Sequence, residues 1–120
     1  MKLAIIGSRT FTNYQLLEDK LSSYYFGGIT DDWLIYEIIS GGAAGADSMG
    51  AKFAKEQNIK LTEFLPDWKT HGKAAGFIRN EDIIKNCDEV IAFWDGISRG
   101  TQNSLSIAKR LKKPTIVIYF

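Results

Sequence analysis

Four apolar residues near the start of the chain decide its fold: LAII at positions 3–6, followed directly by Gly7. A continuous apolar run of this length, closed by a glycine, is typical of a strand buried on both faces of a parallel sheet. Similar runs recur along the chain, several of them closed by glycine or proline. They predict four further strands, at Leu34–Ile39, Ile59–Leu65, Glu89–Trp94 and Thr115–Tyr119.

The segments between these strands place apolar residues three and four positions apart, which indicates helices. Asn13 is the expected N-cap of the first helix, which Gly27 and Gly28 should end. We expect a loop without chemistry at Thr30, Asp31 and Asp32. The other three helices are expected to begin near Ala46, to run from about Ala74 to Asn86, and to bury Leu105, Ala108 and Leu111.

Five strands that alternate with four helices predict an α/β fold, a three-layer Rossmann-like arrangement with helices on both faces of a five-stranded parallel sheet. The expected strand order is 3-2-1-4-5. The length of 120 residues, of which 45% are hydrophobic, fits a single domain over residues 1–120. Open parallel sheets bind ligands beyond the carboxyl ends of the strands, where the strand order reverses. We therefore expect a site between strands one and four.

Composition excludes several classes of function. Cys87 is the only cysteine and His71 the only histidine, so a CxxC redox pair, a Cys/His zinc site and an intramolecular disulfide are excluded. We expect no metal and no cofactor. Fifteen Lys and Arg against fourteen Asp and Glu give a net charge of +1. This lack of a broad basic field predicts no nucleic-acid partner.

The N-terminal apolar run is too short for a signal peptide, and no stretch of the sequence approaches membrane-spanning length. These two features predict a cytoplasmic protein with no membrane partner.

The loops after strands one, two and four should meet at the predicted site. Glycine turns that lead into a helix bind anions, because the backbone can approach closely and the helix N-terminus presents unpaired amides. The alternative is a set of tight turns, with Asp47 serving the first turn of its helix and Asp95 capping the next. The candidate residues in these loops are Gly7, Ser8, Arg9, Gly41, Gly42, Ala43, Gly45, Asp47, Asp95, Gly96, Ser98, Arg99, Gly100 and Thr101.

Segment 67–76 is longer than a connection needs, and we expect it to form a lid or a wall over the site. Trp68 offers a face on which a base can stack, and Lys73 offers a cation. Arg79 and Asn80 lie one turn into the following helix. The alternatives are that Trp68 packs under the loop and that Arg79 and Asn80 form a helix surface. Cys87 is expected to pack as a small hydrophobic residue.

These motifs, in this order, resemble the YspA-type, YpsA-related branch of the SLOG superfamily, formerly a domain of unknown function. The resemblance covers nearly the whole chain. It implies a Rossmann-like fold with a pocket for nucleotides or small molecules derived from them, and members are common in bacteria and phages. Related superfamily proteins are often dimers, so the resemblance leaves a homodimer open.

The wider superfamily includes phosphoribohydrolases of the Lonely Guy type, with the signature PGGxGTxxE. Residues 95–101 resemble its phosphate-binding half, but Ser104 stands where the catalytic glutamate would be. We therefore favour a module that binds a nucleotide or nucleotide-derived molecule as a sensor, carrier or sequestering protein. The alternatives are a nucleotide-processing enzyme, such as a phosphoribohydrolase or N-glycosidase, and a structural or partner-binding protein with no ligand.

Overall fold

The LAII run forms the central strand of a five-stranded parallel sheet in the computed structural model, which describes residues 1–27 and 32–120. The strands are β1 (Lys2–Gly7), β2 (Phe26–Gly27), β3 (Asp32–Trp33), β4 (Glu37–Ser40), β5 (Lys60–Glu63), β6 (Glu89–Trp94) and β7 (Thr115–Tyr119). The helices are α1 (Tyr14–Tyr25), α2 (Ala46–Glu56), α3 (Trp68–His71), α4 (Ala75–Lys85) and α5 (Arg99–Arg110), with a 3-10 turn at Gly72–Ala74.

The order of the main sheet is β5-β4-β1-β6-β7, and every neighbouring pair is parallel. Numbered along the predicted strands, this is the order 3-2-1-4-5, so the predicted fold class and topology are confirmed. Leu3 pairs with Ile38 on one side of β1, and Ile5 pairs with Ile91 on the other. The strand order reverses at the gap between the loops that follow β1 and β6.

Alternate residues of β1 supply two separate hydrophobic layers. Leu3 and Ile5 pack with buried residues of α1 and α2, whereas Ala4 and Ile6 pack with those of α4 and α5. All four are fully or almost fully buried. Because successive side chains of a strand point to opposite faces, this two-sided burial explains why the run is continuously apolar.

Two strands are shorter than the sequence predicts. The second strand was expected to begin at Leu34, but β4 begins at Glu37, which pairs with Lys2 at the start of β1. Residues before Glu37 therefore have no β1 residue opposite them, and Leu34 is exposed. The third strand ends at Glu63, which pairs with Ser40 at the end of β4, and Leu65 beyond it is exposed.

Two local elements were not predicted. Asp32 was expected in a loop, but β3 pairs antiparallel with β2 as a small separate sheet; Thr30, Asp31 and Gly28 lie outside the described residues. In segment 67–76, Asp67 Oδ1 accepts a hydrogen bond of 3.1 Å from the Thr70 amide and caps α3, a short helix in place of a loop.

In residues 1–27 and 32–120, no helix has both the length and the apolar character needed to cross a membrane.

Candidate functional site

A cavity of about 400 Å³ opens at the carboxyl ends of β1 and β6, where the strand order reverses. The loops after β1, β4 and β6 reach it, as the topology predicts, and the middle of α4 and the N-terminal half of α5 complete it. Its walls carry Ile6, Gly7, Ser8, Arg9, Thr10, Ala43, Asp47, Arg79, Asn80, Ile83, Asp95, Ser98, Gly100, Thr101 and Ser104.

The loop after β1 is fixed against the end of β6. The Ser8 amide donates a hydrogen bond of 2.9 Å to the carbonyl oxygen of Phe93, and Ser8 Oγ accepts one of 3.1 Å from the Asp95 amide. Gly7 has a φ of +153°, and a Cβ there would overlap the Phe93 carbonyl and the side chain of Ala46. Glycine is thus required where the end of β1 approaches β6 and the start of α2.

The turn between β6 and α5 is held by the carboxylate of Asp95. Its Oδ1 accepts hydrogen bonds of 2.8 Å from the amides of both Ile97 and Ser98. These bonds hold the pKa of Asp95 below its ordinary value, because they stabilise the ionised form. Asp95 lines the first cavity, and its carboxylate shapes the turn that leads into α5, whose N-cap residue is Ser98, so the expected capping of the helix by Asp95 is not seen.

The first turn of α5 itself, all of which the structure describes, contains no negative side chain, and the Ser98 side chain makes no capping hydrogen bond to the backbone. Ser98 Oγ instead lies 3.4 Å from Thr101 Oγ1. The helix dipole and the first amides of α5, which include those of Gly100 and Thr101, are therefore available to an anion in the cavity.

The glycine-rich loop after β4 is closed by its own groups. Asp47 Oδ2 accepts a hydrogen bond of 3.1 Å from the Ala43 amide, and Ser40 Oγ accepts one of 3.4 Å from the Gly42 amide. The Ala46 amide, at the start of α2, donates to the Ser8 carbonyl at 3.2 Å. Several amides of this loop that could bind a phosphate are thus already occupied. Asp47 lies in the first turn of α2, as the alternative interpretation predicts, and its carboxylate accepts a hydrogen bond from the loop that precedes that helix.

Asp47 and Arg79 form the electrostatic centre of the cavity. Asp47 is buried, and burial raises its pKa to about 6, against the opposing effects of the Ala43 amide and the Arg79 charge. Burial also lowers the pKa of Arg79, which the nearby charge of Arg9 lowers further. Arg79 is held in place by hydrogen bonds of 2.7 Å to the Gly41 carbonyl and 3.0 Å to Asn80 Oδ1.

A second cavity of about 260 Å³ adjoins the first, because Arg9, Arg79, Asn80 and Gly100 line both. The rest of its wall is formed by Trp68, Lys73, Gly76, Phe77 and Arg99. Segment 67–76 therefore acts as a wall of the site. Trp68 is 58% exposed, which excludes the alternative that it packs under the loop.

Most of the residues predicted for the site line one cavity or both. Gly41, Gly42, Gly45 and Gly96 do not line either. A Cβ on Gly41 would overlap the Arg79 guanidinium, and one on Gly45 would overlap the backbone of Ser8 and Arg9, so both glycines let other groups approach.

Some lining residues were not predicted. Thr10 directly follows the Ser8-Arg9 pair, and Phe77 lies three residues before Asn80, a spacing that places two side chains on one helix face. Ser104 lies three residues after Thr101 and is buried in the wall. Helical spacing from the predicted residues was the signal that would have found Phe77 and Ser104.

Cys87 lies outside both cavities. It is buried in the layer beneath α4 and α5, and burial raises the pKa of its thiol to about 11. The prediction that it packs as a small hydrophobic residue is confirmed.

A family model described as YspA, cpYpsA-related SLOG family matches residues 1–71. The chain belongs to this family. The Gene 61 protein of Mycobacterium phage D29 is 30% identical over 125 residues, which cover 96% of this chain and 94% of that protein. The family predicted from the ordered motifs is therefore confirmed.

Among solved structures, the chain is similar to DNA processing protein A from Helicobacter pylori, described for its unique single-stranded DNA binding mode. The TM-score is 0.68 at 22% identity, over 98% of this chain and 64% of that chain. The similarity confirms the three-layer Rossmann-like fold. The chain thus spans slightly under two thirds of that protein.

The prediction of no nucleic-acid partner is wrong, because this fold is shared with a protein described as binding single-stranded DNA. The prediction rested on a net charge of +1, which averages over the whole surface. The second cavity shows why the average misleads: Arg9, Lys73, Arg79 and Arg99 all line it. Local charge, and not the average over the surface, decides whether a phosphate backbone is attracted.

Proposed function

We propose that the crevice binds a nucleotide or nucleotide-derived molecule, with a phosphate at the N-terminus of α5. The observation that carries this proposal is that the first turn of α5, which has no acidic residue, opens onto a cavity whose wall also holds Arg9 and Arg79. Helix amides and guanidinium groups that converge on one space favour phosphate over a neutral ligand. The protein would act as a sensor, carrier or sequestering module.

The unpaired cations around the crevice support this proposal. Among the described residues, Arg9, Lys73, Arg79 and Arg99 make no salt bridge, whereas Lys52, Lys60, Lys85 and Arg110 each do. Arg9 is also close enough to Arg79 to lower its pKa. Two like charges held near each other are stabilised when an anion binds between them, and Asp47 offsets only part of the charge of Arg79.

Binding without turnover is favoured over hydrolysis. Ser104 in the cavity wall cannot replace the glutamate of the phosphoribohydrolase signature as an acid or base. Asp47 is the buried carboxylate of the cavity, and with a pKa of about 6 it remains the candidate for the alternative enzymatic function. Its hydrogen bond with the Ala43 amide ties one of its oxygens to its own loop.

Calorimetric titration with 5′-AMP, inorganic phosphate and adenosine tests the proposal, followed by chromatography of the incubated 5′-AMP. We expect 5′-AMP to bind, adenosine to bind at least about tenfold more weakly, and 5′-AMP to be recovered intact. Arg9→Ala should weaken 5′-AMP binding by about tenfold. Arg110→Ala, which removes an arginine paired with Glu81, is the matched control and should leave the affinity for 5′-AMP unchanged.

Equal binding of 5′-AMP and adenosine would overturn the phosphate assignment, and release of free adenine would establish the enzymatic alternative. No binding of any of these ligands or of DNA would favour the structural alternative.

Single-stranded DNA is the second candidate ligand, favoured by the similarity in fold to the DNA processing protein from Helicobacter pylori. Titration with an eight-nucleotide deoxythymidine strand at several salt concentrations tests it. A nucleic-acid site that neutralises several backbone phosphates loses affinity steeply as salt rises, whereas a site for one phosphate loses little.

A further inference from the structure

The second cavity combines cations and exposed aromatic rings. Its wall holds Arg9, Lys73, Arg79 and Arg99, together with Trp68 and Phe77, and no Asp or Glu lies among its lining residues in the part of the chain that the structure describes. Trp68 is 58% exposed and Phe77 is 60% exposed. A groove with this lining suits a ligand that is both anionic and aromatic.

Trp68 has support from the helix that follows it. Its ring lies next to Gly76 in the first turn of α4, since a Cβ on Gly76 would be 3.8 Å from Trp68 Cη2. Asp67 caps α3, which begins at Trp68, and so fixes the start of the helix that carries the ring. The indole is therefore held by neighbouring structure, while more than half of its surface remains open to a ligand.

The two cavities meet at charged groups. Arg9 and Arg79 line both, so a phosphate bound near them has the N-terminus of α5 on one side and the aromatic rings on the other. We propose that Trp68 and Phe77 form a stacking subsite for a second base, so that the ligand carries two bases joined through phosphate. This inference rests on the proposed function and extends it from one nucleotide unit to two.

Two sources supply this chemistry: a single-stranded nucleic acid and a free dinucleotide joined by a pyrophosphate. A strand places the second base one phosphodiester away from the first unit, and a pyrophosphate dinucleotide places it one diphosphate away. Stacking on aromatic side chains is tolerant of base identity, because every base has a π face. The groove therefore selects for the number of linked bases more than for their sequence.

The test compares the dissociation constants of 5′-AMP, the 5′-phosphorylated deoxyadenosine dinucleotide and diadenosine diphosphate for the full chain. We expect at least one of the two-base ligands to bind at least about tenfold more tightly than 5′-AMP. Tighter binding of the first indicates a nucleic-acid strand, and tighter binding of the second indicates a free dinucleotide.

Trp68→Ala and Phe77→Ala should each lower the ratio of the two-base affinity to the 5′-AMP affinity to near one, because both rings line the second cavity and not the first. Trp68→Phe should keep part of the gain. Tyr36→Ala is the matched control, because Tyr36 is 61% exposed and lines neither cavity.

If 5′-AMP binds and neither two-base ligand binds more tightly, the second subsite is overturned and the proposed function stands. If the gain survives both alanine substitutions, the aromatic assignment is overturned. If none of the three ligands binds, the proposed function and this extension fail together.

Discussion

Arg79 donates a hydrogen bond of 2.7 Å from Nη1 to the carbonyl oxygen of Gly41, across 38 positions of sequence. The bond ties the second turn of α4 to the loop after β4, and it holds a positive charge near the buried carboxylate of Asp47. Gly41 makes this contact accessible, since a Cβ at that position would overlap the guanidinium. One arginine thus contributes to the structure of the loop and to the charge of the cavity.

Arg79→Met should destabilise the protein, because it keeps the apolar stem but removes two hydrogen bonds and the cation near Asp47. We expect a loss of about 1–3 kcal/mol in the free energy of unfolding, measured by urea denaturation at pH 7. Arg110→Met, at an exposed pair with Glu81, should cost at most about 1 kcal/mol. Equal losses in the two variants would contradict the role assigned to Arg79.

Asp47 should make stability fall as pH rises. Its pKa is about 6 in the folded protein, against 3.8 as the ordinary value, so the folded state binds the proton more tightly than the unfolded state. The contribution of Asp47 to the free energy of unfolding therefore decreases between about pH 4 and pH 6 and is constant above that range. The decrease is at most about 3 kcal/mol.

Asp47→Asn isolates this effect, because the amide oxygen can still accept from the Ala43 amide while the titration is lost. The stability of the wild-type protein minus that of the variant should decrease from pH 4 to pH 7 in parallel denaturant titrations. A difference that does not vary with pH would show that the carboxyl group titrates normally.

Gly7→Ala should be among the most destabilising single-methyl substitutions in the chain. The added Cβ would overlap the carbonyl oxygen of Phe93 in the central sheet, where the backbone cannot yield cheaply. We expect a loss of about 2 kcal/mol or more, measured by thermal and urea denaturation. Gly76→Ala is the control: its Cβ meets only Trp68, at an ordinary contact distance, so this helical substitution should be neutral or stabilising. A Gly7→Ala protein as stable as the wild type would refute the close approach.

The fold could be predicted from the sequence because burial of β1 on both faces requires a continuous apolar run, which LAII at 3–6 provides. Strand order then brings Ser8 and Asp95 together, although they are 87 residues apart. The pairing of polar groups between distant segments could not be predicted from the sequence. The hydrogen bond from the Ala43 amide to Asp47 depends on the backbone conformation of the loop, and the hydrogen bond from Arg79 to Gly41 depends on how α4 packs.

Gly100→Ala should separate stability from binding. Gly100 lies in the first turn of α5, and a Cβ there would meet nothing within 4 Å. Alanine lowers the backbone entropy of the unfolded chain, so the free energy of unfolding should rise by up to about 1 kcal/mol. Because Gly100 lines both cavities, we expect the added methyl group to reduce the space next to the amides proposed to bind phosphate. Affinity for 5′-AMP should fall by about tenfold while the melting temperature rises. Ser106→Ala, at an exposed position of the same helix that lines neither cavity, should raise stability slightly and leave binding unchanged. Undiminished affinity of the Gly100→Ala protein for 5′-AMP would contradict phosphate binding at the N-terminus of α5, whatever the effect of the substitution on stability.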